Sequence, residues 1–244
     1  MKTVIVFPAY NAGKTLRQTY MDIPERLRGD IILVDDVSGD DTVRTARELG
    51  LTVIVHERNT GYGGNQKTCY RSALERGADI VVMVHPDYQY NPKVIPHLIG
   101  LIEDGVCDVV LANRIRTRRE ALEGGMPLYK YAANRFLTFI SNLVTGENLG
   151  EWHSGMRAYS RKVLERVNWE SNSDDFVFDT QFLVQCARAG LRLGDIPVQA
   201  KYFPEASSIN FTRSTTYGLL TLYTLLQYIL HRSGLMKFRF LAPR

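Results

Sequence analysis

The chain has 244 residues, of which 45% are hydrophobic and 23% charged. That is ordinary globular composition, excluding disordered, collagen-like and low-complexity classes, and the length suits one large α/β domain or at most two small ones. The net charge of +4 is too mild for a nucleic-acid-binding stripe, so no nucleic-acid partner is expected.

The basic excess is local. From residue 201 onward, Lys201, Arg213, Arg232, Lys237, Arg239 and Arg244 face one acid, Glu205. Arg114, Arg116, Arg118 and Arg119 form a second run. Such patches suit phosphate or an anionic membrane surface, or are solvated loop charge. Cys69, Cys107 and Cys186 lack metal-ligand spacing and cannot all pair, so they read as small core fillers in a reducing cytosol. Met1-Lys2 runs straight into an apolar strand, with no signal peptide visible.

Apolar runs at 4–7, 31–34, 52–56, 80–84 and 109–112 alternate with helical patterns at 12–22, 41–49, 64–77 and 92–103. Near-continuous Val/Ile runs predict strands buried on both faces of a parallel sheet, with the ligand beyond their carboxyl ends. Residues 116–125 read as a mobile arginine-rich loop ending in Gly-Gly. A helix over 127–144, a strand over 156–160, and helices over 162–167 and 176–189 follow, then a strand pair over 192–202. Phe136, Phe139 and Tyr223 read as packing, and Trp152 as core.

Residues 216–231 form an apolar helix. Its uninterrupted core is shorter than the roughly 20 residues that span a bilayer. Packing on the domain, pairing with a second copy, and lying in a membrane interface all fit it.

Three clusters follow strands where this topology places ligands: Phe7 to Gly13, Val34 to Thr42, and His85 to Pro92. Adjacent carboxylates repel, so Asp35, Asp36 and Asp87 point to ligand binding, whereas Asp40 reads as a helix cap. The dinucleotide alternative needs Gly-x-Gly-x-x-Gly after the first strand, and the chain has Pro-Ala-Tyr-Asn-Ala-Gly-Lys instead. Gly13-Lys14-Thr15 lacks the earlier glycine of a phosphate loop.

Pro-Ala-Tyr-Asn, then Val-Asp-Asp-x-Ser-x-Asp-x-Thr, Asn59-Thr60-Gly61, Asn113-Arg114, Ser154-Gly155-Met156-Arg157 and Phe178-Asp179-Thr180-Gln181 together resemble the family 2 glycosyltransferases of the GT-A fold. The likeness covers about residues 1–210 and is nearest in flavour to the polyprenyl-phosphate (dolichol-phosphate) hexosyltransferases. It implies a GT-A domain over 1–212, with a nucleotide-binding half (1–112) and an acceptor-binding half (113–212), and a C-terminal apolar helix and basic tail over 213–244.

The resemblance further implies an inverting hexosyltransferase using a nucleotide-diphosphate sugar, UDP-linked before GDP-linked. Pro8, Tyr10, Asn11, Asp35, Asp36, Gly61, Gly64, Lys67, His85 and Asp87 would hold the donor. Asp87 matches the second acid of the metal-binding Asp-x-Asp, with Gln89 beside it, so Mn²⁺ or Mg²⁺ is the implied cofactor. His85 stands where the first acid is expected. It either contributes a softer ligand to the metal or meets the diphosphate directly.

Arg114, Arg116, Lys130, His153, Ser154, Arg157 and Ser208 would face the acceptor. Polyprenyl phosphate, reached peripherally at the inner face of the membrane, fits the motif set. A soluble hydroxyl acceptor would need Asp179 as general base. A non-catalytic sugar-nucleotide-binding protein is the competing class.

Overall fold

A computed structural model describes residues 1–200 and 211–242. Seven strands form one sheet: β1 (Thr3–Ala9), β2 (Ile31–Asp35), β3 (Thr52–Val55), β4 (Ile80–Met83), β5 (Val109–Asn113), β6 (Arg157–Ser160) and β7 (Leu193–Pro197), in the order β3-β2-β1-β4-β6-β5-β7. The first four pair in parallel, β6 runs antiparallel between β4 and β5, and β7 joins β5 in parallel. The fold is thus a mostly parallel α/β sheet of the GT-A kind. The sheet continues unbroken from the first half of the chain into the second.

Nine helices accompany the sheet among the described residues: α1 (Leu16–Asp22), α2 (Thr42–Glu48), α3 (Gly61–Glu75), α4 (Ile95–Glu103), α5 (Arg118–Glu123), α6 (Leu128–Thr145), α7 (Arg161–Arg166), α8 (Phe178–Arg188) and α9 (Phe211–Arg232). Alternate residues of β1 enter different cores. Val4 and Val6 pack with Tyr70 of α3, Phe182 of α8 and Leu225 of α9, while Ile5 and Phe7 pack with Leu16 of α1 and Leu98 of α4. Burial on both faces explains the near-continuous apolar strands.

Several expectations are corrected. Residues 116–125 are not all loop: Thr117 accepts a hydrogen bond from Glu120 N at 3.1 Å and caps α5, a cap that starts a short helix even in an arginine-rich sequence. Helix α1 begins at Leu16 rather than at 12, because Ala12 N and Gly13 N are held by Thr42 Oγ1 (2.7 Å) and Asp40 Oδ2 (2.8 Å). A 3-10 turn at Pro92–Val94 precedes α4. Of the strand pair expected over 192–202, the described residues up to 200 hold β7 and an isolated bridge from Ala200 to Tyr90. Phe136, Phe139 and Tyr223, expected to pack, are 56%, 62% and 54% exposed. Ser208 lies outside the described residues, as do Lys201, Glu205 and Arg244.

The amino end of α3 is pressed against the segment before α8. Gly63 N donates to the Asp174 carbonyl at 2.7 Å, and a Cβ on Gly63 would collide with the Ser173 carbonyl oxygen. Gly63→Ala should therefore cost about 2–4 kcal/mol, in the range of overpacked or strained sites. Gly100→Ala in α4 has open space around it and should be neutral or stabilise by up to about 1 kcal/mol. Urea denaturation of the two variants checks the contrast.

Candidate active site

The loops leaving β1, β2 and β4 meet at one edge of the sheet. Each contains a non-glycine residue in left-handed backbone: Asn11 (φ 52°), Val37 (φ 66°) and Tyr88 (φ 56°). For a β-branched valine this is a real conformational cost, and such strain clusters where surrounding contacts fix a site. Asn11 is clamped, its N donating to Ser38 Oγ and its Oδ1 accepting from Gly39 N, both at 2.8 Å. Tyr10 beside it is exposed.

The paired aspartates differ in role. Asp36 accepts from Thr60 N (2.8 Å), Thr60 Oγ1 (2.9 Å) and Gly61 N (3.0 Å), and lies 2.8 Å from His56 Nδ1. It caps α3 and fixes the 56–61 segment. Asp35 Oδ2 accepts from Ser38 N at 3.0 Å, while its Oδ1 is buried without a hydrogen-bond partner among the described residues. A buried carboxylate oxygen in that state is destabilising by about 1–3 kcal/mol and fits a donor N–H or O–H from a ligand.

Asp87 is buried, and its Oδ1 accepts from Gln89 N at 3.1 Å. Gln89 Oε1 lies 3.4 Å from Arg114 Nη1. His85 stacks on Tyr62 with ring centroids 5.4 Å apart, its Nε2 is 3.2 Å from Tyr62 Oη, and the Pro8 carbonyl hydrogen-bonds the ring. Burial lowers the His85 pKa, against the pull of Asp87 and Asp179. Among the described residues, no group of three His, Cys, Asp or Glu side chains is placed to hold a metal ion. Mg²⁺-type sites can rest on one or two carboxylates with phosphate and water completing the shell. Asp87 fits such a cation in company with a phosphorylated ligand, whereas the His85 ring is already engaged.

Asp179, in the first turn of α8, is enclosed. Tyr62 Oη donates to its Oδ2 at 2.8 Å, Gln66 Nε2 donates to its Oδ1 at 3.1 Å, and Arg157 Nη2 lies 3.1 Å from Oδ2. Arg157 is fully buried in β6, with its Nε donating to the Ser154 carbonyl at 2.6 Å. Burial disfavours its charge, but the Asp179 carboxylate together with Tyr159, Tyr62 and Tyr70 outweighs this and raises its pKa.

Arg114 follows β5. Its backbone N donates to Glu151 Oε2 at 2.6 Å, its Nε to Oε1 at 2.9 Å, and its Nη2 to both Glu151 and the His153 carbonyl, the latter at 2.7 Å. Glu151 is fully buried and also accepts from Asn134 Nδ2 at 2.9 Å. Burial pushes its pKa up, but Arg114 more than reverses that and holds it down. The pKa of Lys130 is lowered by burial and by Arg114, so two cations stand close together. An open cleft of about 470 Å³ alongside is lined by Asn113, Arg116, Tyr131 and Arg135, among others.

Other expected contacts are occupied by the fold. Lys67 Nζ donates to the Asn172 carbonyl (2.5 Å) and Asp174 Oδ1 (2.7 Å). A Cβ on Gly64 would meet Thr60, and one on Gly61 would meet the Asp174 carbonyl. Ser154 Oγ donates to the Ala112 carbonyl at 2.5 Å, and exposed Arg116 pairs with Glu120. Sequence reasoning missed Tyr62, Gln66, His56, Glu151 and Tyr217. Their only local signal was proximity to residues already singled out.

The sequence model described as "Glycosyl transferase family 2" matches residues 4–167. The chain belongs to that family. This glycosyltransferase is 28% identical over 215 residues to the UDP-N-acetylglucosamine–dolichyl-phosphate N-acetylglucosaminyltransferase of Methanococcus voltae, covering 81% of this chain and 85% of that protein. It is 24% identical over 209 residues to the undecaprenyl-phosphate mannosyltransferase of Micrococcus luteus, covering 81% and 83%. Glucosyl-3-phosphoglycerate synthase from Mycobacterium tuberculosis, crystallised with Mn²⁺, UDP and phosphoglyceric acid, superimposes with a TM-score of 0.71 at 18% identity, covering 93% of this chain and 78% of that one. At that identity the likeness shows the shared GT-A fold.

In this glycosyltransferase, burial depresses the His153 pKa to about 4, against the pull of Glu151. Between that value and the ordinary value of about 6.5, the unfolded chain binds the proton and the folded one does not. His153 therefore contributes stability that is fully present above about pH 6.5 and is lost as pH falls toward about 4. His153→Gln should flatten thermal stability against pH across this window, as scanning calorimetry can read.

Proposed function

We propose that the enzyme moves a hexose from a nucleotide-diphosphate sugar, UDP-linked before GDP-linked, to polyprenyl phosphate at a membrane surface. The carrying observation is the enclosure of Asp179. Tyr62 donates to one of its oxygens and Gln66 to the other, and the Arg157 guanidinium lies 3.1 Å away, which leaves it poorly placed to accept a proton from an attacking hydroxyl. A phosphate monoester brings its own ionised oxygen and requires no base. Arg114 and Lys130 supply positive charge for such an anion. The relatives named for polyprenyl-phosphate acceptors support the same reading.

In the transfer, an acceptor phosphate oxygen attacks the anomeric carbon on the face opposite the leaving group. The bond from that carbon to the diphosphate oxygen breaks, and the nucleoside diphosphate departs. Asp35 Oδ1 is suited to accept from the base or ribose, and Asp87 to hold a divalent cation. When bound, that cation neutralises charge developing on the diphosphate. Arg157 and Tyr62 keep Asp179 in place at the floor of the site.

Membrane contact would be peripheral. No helix among the described residues is long and apolar enough to cross a bilayer. Phe136, Phe139 and Leu143 form an exposed stripe on α6, and Leu219, Tyr223 and Leu226 form another on α9, which packs against α6. Arg232 and Lys237 follow and are exposed. Apolar stripes flanked by basic residues suit an anionic lipid interface.

Calorimetric titration of UDP and GDP with Mn²⁺, Mg²⁺ or chelator should give tight binding of one nucleotide only with metal. Asp87→Ala should abolish the metal dependence and lower turnover at least about 100-fold. Turnover unchanged in Asp87→Ala would remove Asp87 from the mechanism.

Asp179→Asn should stay within about tenfold of wild type per folded molecule with undecaprenyl phosphate; a loss beyond about 1,000-fold would instead mark Asp179 as a base. In flotation with phosphatidylglycerol vesicles, wild type should rise and Phe139→Glu/Leu226→Glu should not. Light scattering that shows a dimer broken by the same pair would assign these stripes to self-association.

A further inference from the structure

The C-terminal helix touches the site through Tyr217. Its hydroxyl lies 2.7 Å from His153 Nδ1 and 3.2 Å from Thr180 Oγ1. Thr180 Oγ1 is in turn 3.2 Å from Thr221 Oγ1, one turn further along α9. The His153 and Tyr217 rings meet edge to face, with centroids 5.4 Å apart and an interplanar angle of 87°. Thr180 directly follows Asp179, and the His153 carbonyl is the acceptor for Arg114 Nη2. One side of this contact belongs to the acceptor side of the site, and the other to the helix whose outer stripe is assigned to lipid.

Packing alone does not account for the pair. Among the described residues, His153 Nε2 is buried and has no hydrogen-bond partner, so the protein contacts described do not use that nitrogen, and a ligand atom can. The threonine hydroxyls can donate to the Tyr217 oxygen, which leaves the phenolic proton for His153 Nδ1. That arrangement places the remaining imidazole proton on Nε2. The ring stands near both Arg114 and Arg157. A neutral N–H donor among guanidinium groups is matched to a phosphate oxygen, and mismatched to a cation or an apolar group.

We propose that Tyr217 is a positioning residue: its hydroxyl holds His153 as the Nε2–H tautomer, which donates to a phosphate oxygen of the acceptor. Acceptor recognition thereby depends on how α9 is seated against α8. The inference rests on the phosphate-acceptor reading above and adds to it a specific donor and a specific link to the lipid-facing helix. On its outer side α9 carries Leu219, Tyr223 and Leu226; on its inner side it carries Tyr217 and the buried Thr221 and Thr224. A shift of the helix is thus felt at the imidazole.

The test uses the full chain, undecaprenyl phosphate in detergent micelles, and whichever of UDP-glucose, UDP-N-acetylglucosamine and GDP-mannose the wild type turns over. Tyr217→Phe keeps the ring and removes the hydroxyl. It should raise KM for undecaprenyl phosphate about tenfold, the worth of one hydrogen bond to a charged group. Turnover number should stay within about threefold, and nucleotide affinity should not change. His153→Ala should raise the same KM at least as much, and the double variant should be no worse than His153→Ala, because Tyr217 acts through His153.

His153→Gln puts an amide N–H near the position of Nε2–H and should recover most of the acceptor affinity. Adding Tyr217→Phe to it should then cost less than about threefold. Additive losses in the double variant, a loss spread equally over turnover and nucleotide affinity, or an unchanged acceptor KM in Tyr217→Phe would each overturn the inference while leaving the acceptor reading intact. A wild type that fails to glycosylate undecaprenyl phosphate with any of the three donors would overturn the acceptor reading, and this inference with it.

Discussion

A buried arginine facing a buried aspartate organises the centre of this protein. Arg157 sits in β6, the strand that runs against its neighbours, and Asp179 sits at the start of α8. Neither charge is tolerable there alone, since breaking such a pair leaves an uncompensated ion with a penalty of about 3–5 kcal/mol. Their mutual need fixes β6 to α8. Tyr62 and Gln66, donating to the same carboxylate, bring α3 to the same point. Three elements from distant parts of the chain are thereby registered at one carboxylate.

The remaining site geometry follows from that anchor. With α3 held at its first turns, Asp36 can cap it, and the 56–61 segment closes over the end of β2. With β6 held, the preceding residues 151–155 pass over His85 and carry Glu151 to Arg114. A second buried ion pair is therefore built on the first. Among the described residues, Asp35 Oδ1 and His153 Nε2 are buried without a hydrogen-bond partner, as are Arg157 Nη1 and Nη2, Ser141 Oγ and Ser160 Oγ. In a protein interior such atoms are costly, and those of Asp35 and His153 are the ones the proposed ligand would satisfy.

Much of the fold was legible because parallel strands buried on both faces leave uninterrupted Val/Ile runs, and β1, β2, β4 and β5 each announce themselves so. The family could be read from ordered motifs such as Val34 to Thr42. Local chemistry failed where it competed with long-range contacts. The start of α1 was misplaced because Thr42 and Asp40, almost 30 residues on, hold Ala12 and Gly13. Phe136, Phe139 and Tyr223 read as packing because helical periodicity marks an apolar face without saying what covers it. Within the site, Asp36 and Lys67 were legible as important but not as fold-holding, since their partners at Thr60, Gly61, Asn172 and Asp174 are tertiary. Tyr62 and Tyr217 were invisible for the same reason.

The close seat of Gly63 under the Ser173–Asp174 backbone has a consequence for how such enzymes can be recombined. The amino-terminal and carboxy-terminal halves are joined twice over: by strands interleaved in one sheet, and by a helix start with no room for a methyl group. A chimera taking residues 1–112 from one relative and the remainder from another inherits a seam along both contacts, so specificity is more readily exchanged in the loops above the sheet than by swapping halves.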